Sequence, residues 1–182
     1  KGDKGTIFLV AFSPDGRRIV SNENIGPAGQ VWDAATGREL LTLQGHTNVI
    51  WSAAFSPDGQ RIVTGSSDQR VKVWDAATGR ELLNLKGHGA AVVAAAFSPD
   101  GQRIVTGDSD GTTKIWDLDA YRELLELKGH GRFVRALAYS AGIDGEQLQF
   151  GLLLTGHEQH VVDDGGRSTE ELAPQRICRP RG

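Results

Sequence analysis

One spacing constrains this chain more than any other feature: three separate markers recur every 42 or 43 residues. Phe-Ser-Pro-Asp-Gly begins at Phe12, Phe55 and Phe97, and the tryptophan of a hydrophobic-Trp-Asp triplet falls at Trp32, Trp74 and Trp116. Gly-His stands at Gly45-His46, Gly87-His88 and Gly129-His130. Residues 45–86 overlay 87–128 without a gap and with 26 identities. Such a chain makes one supersecondary unit per repeat, and each unit must bury its apolar faces against its neighbours.

Within the second repeat the pattern is short strands separated by turn residues, with no helix-period stretch between them. The spacing predicts strands over Val49–Phe55, Gln60–Gly65, Arg70–Asp75 and Arg80–Lys86. Ser56-Pro57-Asp58-Gly59 is a turn, with proline where φ near −65° helps and glycine where a positive φ is needed. Four antiparallel strands per repeat make one small twisted sheet. Its two apolar faces require sheets to stack face to face. The 24 glycines are then turn punctuation, and no Gly-Lys-Ser/Thr loop is present to cradle a phosphate.

The Gly-His pair, the Ser-Pro-Asp-Gly turn and the terminal Trp-Asp, at about 42 residues per unit, resemble the WD-repeat β-propeller family over residues 6–136. The near-identity of neighbouring repeats, with Ala-Ala-Thr-Gly-Arg-Glu-Leu-Leu at 34–41 and 76–83, resembles the family's bacterial long-array branch. The resemblance implies an all-β fold: four-stranded antiparallel blades at 6–44, 45–86 and 87–128, and a degenerate fourth at 129–164. Typical members close with about seven blades. At that count the chain is an incomplete, open propeller with two exposed blade faces, which calls for a partner or self-association to cover them.

A recurring histidine invites a catalytic or metal reading, but the resemblance implies a structural one. In the family a His, a Ser or Thr, an Asp and the Trp form a buried hydrogen-bonded chain. Mapped onto this sequence, the sets are His46, Thr64, Asp68, Trp74 and His88, Thr106, Asp110, Trp116. A network copied into successive blades is scaffold, since Ser/Thr-His-Asp catalysis needs a nucleophile open to substrate. The first unit has no Gly-His and no Asp at the matching place, so Trp32 is expected to lack its network and the blade to be less rigid.

Family partner contacts concentrate on the loops entering the inner strands and the turns after the second strands. Carried over, these are Thr47, Val49 and Ser67 in the second blade, Gly89, Ala91 and Ser109 in the third, and Gly131 and Phe133 in the fourth. Val49 and Phe133 are the expected apolar contacts. Trp51, which replaces Val93 and Arg135 of the following repeats, is an odd aromatic that either packs between blades or contacts a partner.

After Ser140 the pattern breaks, with a longer turn over 141–146, a candidate second strand over 152–156, and a candidate third strand at Val161-Val162-Asp163. The segment 165–182 lacks strand periodicity and is expected to be disordered. His157 and His160 sit at an odd offset that points them to opposite faces of a strand, so no metal site is expected there. Cys178, between Arg176, Arg179 and Arg181, excludes an internal disulfide and a multi-cysteine zinc site, and it fits a reducing compartment.

The charge balance is 20 Lys and Arg against 23 Asp and Glu, a net −3 that offers no basic field for nucleic acid. No apolar run approaches the roughly 20 residues that span a bilayer, and the beginning of the chain lacks a convincing signal peptide. The expectation is a non-catalytic, cytoplasmic protein-binding scaffold without cofactor or metal, its partner a protein or peptide. The alternative is the sensor or regulatory array of a larger signalling enzyme, such as a protein kinase or nucleotide-switch protein.

Overall fold

The computed structural model of the chain describes residues 9–22, 26–120 and 122–127, together with the backbone of four short strands near the C-terminus. All its elements are strands. The first sheet is β1 (Val10–Phe12), β2 (Arg18–Asn22), β3 (Gly29–Asp33) and β4 (Glu39–Leu43). The second is β5 (Ile50–Phe55), β6 (Arg61–Ser66), β7 (Arg70–Asp75) and β8 (Glu81–Lys86). The third is β9 (Val92–Phe97), β10 (Arg103–Asp108), β11 (Thr113–Asp117) and β12 (Arg122–Leu127). In each sheet the strands pair antiparallel with their sequence neighbours. The register shifts once just before every Trp-Asp, at Val31/Trp32, Val73/Trp74 and Ile115/Trp116. A bulge at the same place in each unit aims each Trp alike.

The turns follow from their own side chains. In Ser56-Pro57-Asp58-Gly59 the Ser56 hydroxyl donates to Asp58 Oδ1 at 2.5 Å and accepts from the Arg61 N–H at 2.9 Å. The Asp of Trp-Asp closes the next turn, with Asp75 Oδ1 accepting from the Thr78 N–H at 2.8 Å and from its hydroxyl at 2.7 Å. Those bonds from Thr78 hold the Asp75 carboxyl below the usual carboxylate range.

The sheets stack in chain order, and the period of two along a strand decides what each face buries. Ile62 and Trp74, paired across β6 and β7, lie with Phe55 in a core against Val20, Val31 and Leu43 of the first sheet. One residue further along, Val63 and Val73 pair and pack with Val92, Phe97, Ile104 and Trp116 of the third sheet. Covered on both sides, the second sheet needs no polar face. Lys72 alternates with Val71 and Val73 yet is itself 4% exposed, its Nζ paired with Glu81 Oε2 at 2.5 Å. Each fully buried Val, Leu or Ile contributes about 1.5–3 kcal/mol, so the two inter-sheet cores dominate the stability. The arc is open: Val10 and Phe12 on the first sheet are 66% and 63% exposed.

A fourth antiparallel sheet follows, made of β13 (Ala138–Ser140), β14 (Gln149–Gly151), β15 (Val161–Val162) and β16 (Ser168–Thr169). Its second strand is Gln149–Gly151, whereas the sequence suggested 152–156, which lies outside the described residues. Ser168–Thr169 pairs with Val161–Val162. His157, His160 and Cys178 lie outside the described residues.

Candidate interaction surface

Two features of each sheet meet at the loop end: the loop entering the inner strand and the turn after the second strand. A backbone bond ties them, from the Ser67 N–H to the Val49 carbonyl and from the Ser109 N–H to the Ala91 carbonyl, both 2.9 Å. Beneath this tie lies the histidine network. In the second sheet His46 Nε2 is 2.8 Å from Thr64 Oγ1, and His46 Nδ1 is 2.8 Å from Asp68 Oδ2. Trp74 Nε1–H donates to the same Thr64 oxygen at 2.8 Å.

Burial holds the His46 pKa below its usual value, with Asp68 partly opposing, so the ring is neutral. A carboxylate only accepts, which makes Nδ1 the donor and leaves Nε2 to accept the Thr64 proton. The protons therefore run in one direction, from Trp74 to Thr64 to His46 to Asp68. Burial resists ionisation of Asp68, but the Thr47 N–H, the His46 ring and the Arg70 N–H outweigh it and keep its pKa low. The Asp68 carboxylate also receives the Thr47 N–H at 3.0 Å, so the network holds the exposed loop from below.

The glycine before each His has a steric reason. Gly45 and Gly87 adopt φ of 151° and 149°, in the region that disfavours side chains. A Cβ on Gly45 would meet Trp74 at 3.3 Å and Glu81 at 3.1 Å.

The third sheet corrects one assignment. His88 Nε2 meets Thr106 at 2.7 Å and Trp116 Nε1–H donates to that hydroxyl at 2.8 Å, but His88 Nδ1 meets Asp108 at 2.9 Å, not Asp110. Asp108 ends β10 where the second sheet has Ser66, and the β9–β10 register shifts between Gly107 and Asp108. From there one carboxylate does two jobs. Its Oδ2 meets the imidazole while Oδ1 accepts from the Asp110 and Thr112 N–H groups. Asp110 is left exposed. The first sheet also differs from expectation: Trp32 keeps an acceptor, the Ser21 hydroxyl at 2.8 Å, although among the described residues no His or Asp completes the chain.

Among the residues expected at a partner surface, Thr47 and Gly89 are exposed, and Trp51, Ser67, Ala91 and Ser109 are half-buried. Val49 is not the apolar contact expected. It is 9% exposed, and its carbonyl is tied to the Ser67 N–H. Trp51 Nε1–H donates to Ser67 Oγ at 2.5 Å, which fixes the indole at the loop end of the second sheet. The inner strands β5 and β9 run side by side, joined by the Ala95 N–H donating to Ser52 Oγ at 3.0 Å, so the loop ends of both blades adjoin. Gly131 and Phe133 lie outside the described residues. Asn48 was missed by the sequence reading; its carbonyl accepts from Ser66 and its side chain caps the Val49 N–H. Among the described residues no group of three His, Cys, Asp or Glu could hold a metal, and no helix is long and apolar enough to cross a membrane.

Stacked four-stranded antiparallel sheets, each with an inner strand, a buried Trp and a turn-closing Asp, define a β-propeller-type repeat protein. Residues 37–75 and 79–117 match the family described as WD domain, G-beta repeat, so these two segments are WD repeats. The family unit is staggered against the sheet: 37–75 takes β4 from the first sheet and β5–β7 from the second. An uncharacterized WD repeat-containing protein of Nostoc sp. is 46% identical over 44 residues, 24% of this chain. The match spans only 3% of that relative's length.

Proposed function

We propose that this chain is a non-catalytic scaffold that holds a protein or peptide partner on the loop end of its second and third blades, in the cytoplasm. WD repeats generally mediate protein–protein interaction, which supports the class. The observation that carries the location is the Trp51–Ser67 pair. A half-buried indole, tethered by its N–H beside the exposed Thr47, is a rigid aromatic anchor of the type that dominates interface energetics. The imidazoles, by contrast, are enclosed and committed to their networks, which supports a structural rather than a catalytic use. The single cysteine and the absence of a spanning apolar run support the compartment.

The test compares proteins retained from source lysate by the wild-type chain and by a Thr47→Glu, Trp51→Ala variant of equal thermal stability. Loss of a specific protein from the variant is the expected result. An unchanged set removes these residues from the interface. A second reading, the sensor or regulatory array of a larger signalling enzyme, is favoured by the small share of the Nostoc relative that the repeat occupies. It is decided by the reading frame upstream of Lys1, where an enzyme domain is expected on that reading and its absence would remove it.

A further inference from the structure

The second sheet sets two positive charges directly opposite each other. Arg70 opens β7, Lys86 closes β8, and the two pair across the strands, which brings their Cβ atoms to about 5 Å. Elsewhere among the described strands, charges that stand opposite are of unlike sign, as with Arg61 and Asp75, Arg103 and Asp117, and Lys114 and Glu126. Like charges so placed repel and destabilise a sheet. Arg70 is half-buried and Lys86 exposed, and among the described residues neither is in an ion pair.

The neighbouring acids are already taken. Lys72, on the same face of β7 as Arg70, holds Glu81, and Asn84 stands where the third sheet has Glu126, whose carboxylate lies 3.3 Å from the Lys114 ammonium. Asp68 receives the His46 ring, the Thr47 N–H and the Arg70 N–H. The segments leading to the two inner strands, 44–48 and 86–90, contain no acid. Arg70 is also peculiar to this blade, since Ala28 and Thr112 stand at its place in the first and third.

We infer that Arg70 and Lys86 receive the carboxylate of an acidic peptide segment, an Asp or Glu of the partner. This rests on the reading of the loop end as a partner surface and names the charge of what binds there. Arg70 stands at that end, since its N–H and the Thr47 N–H meet the same Asp68 carboxylate. Charge complementarity identifies the occupant: a partner carboxylate between the two cations relieves their repulsion and accepts a charge-assisted bond from each. Two cations on a chain of net charge −3 are too few for a nucleic-acid backbone, whose binding is built from many phosphate contacts.

The experiment passes the full chain over an array of short random peptides and reads the composition of those that retain it. Asp and Glu are expected to be enriched about threefold or more over the array average, with the enrichment fading as salt is raised. Arg70→Thr, which installs the residue of the third sheet, combined with Lys86→Gln is expected to abolish that preference. An acid preference that persists in this variant, or none in the wild type, overturns the proposal. So does retention of an oligonucleotide, rather than of peptides, through the same two residues. Trp51→Ala separates the two readings. If it abolishes peptide binding while the charge variant keeps the acid preference, the loop-end surface stands and this assignment falls; the reverse pattern removes Trp51 and leaves this assignment in place. At low salt the urea midpoint of the charge variant is expected to equal or exceed that of the wild type. A lower midpoint would show the two cations to be neutralised within the chain, which also overturns the assignment.

Discussion

His88 Nδ1 lies 2.9 Å from Asp108 Oδ2, although the 42-residue period pairs it with Asp110. The imidazole and the Asp108 carboxylate are each 1% exposed, so neither finds a substitute partner in water. Asp108→Ala is expected to destabilise the protein by about 1–3 kcal/mol by leaving a buried donor unpaired. Asp110→Ala, on an exposed residue, is expected to change stability by less than about 0.5 kcal/mol. Urea unfolding of both variants checks the pair, and equal losses would return the role to Asp110.

The buried imidazoles also set a pH dependence. Burial depresses the pKa of both His46 and His88 below 6.5, so between the folded and unfolded values the unfolded chain binds more protons. Stability is therefore fully present above about pH 6.5 and falls as the pH drops through the histidine range. The lowered Asp68 pKa adds a further loss below its ordinary value of 3.8. A urea midpoint that rises on going from pH 7.5 to 5.5 would contradict this neutral assignment.

Gly65 of the second sheet lies tight against Val92 of the third. A Cβ there would fall 2.7 Å from Val92 Cγ1 and 3.1 Å from its carbonyl oxygen. Gly65→Ala should cost about 1–3 kcal/mol by forcing the blades apart. Gly65→Ala with Val92→Ala is expected to recover part of the loss, which thermal unfolding would register as positive coupling.

Gln69 has φ of 67°, while the third blade places Gly111 at the matching turn position with φ of 86°. The left-handed region costs a non-glycine residue about 1–2 kcal/mol, part of which glycine gives back as unfolded-state entropy. Gln69→Gly should therefore raise stability by up to about 1 kcal/mol. A lower melting temperature would show that the turn tolerates the strained glutamine at no cost.

The sequence by itself determined the repeat, the four strands of each clear blade and their turns. These are local: the alternation of Val71, Val73 and their neighbours sets a strand, and Ser-Pro-Asp-Gly closes on its own hydroxyl and carboxylate. Tertiary structure decided which of two nearby aspartates meets His88, because a bulge at Gly107/Asp108 moves a side chain without altering the spacing. It turned Val49 inward, tethered Trp51 to Ser67 and buried Lys72 beside Glu81, since those fates depend on what lies across from each residue. Arginine opens the second strand at Arg18 and Arg61, but only the packing sets Arg18 over Phe55 and Arg61 over Phe97, with the Gly59 and Gly101 carbonyls accepting from them. An arginine beside a turn reads as a solvated charge until the next sheet places a phenylalanine and a carbonyl beneath it.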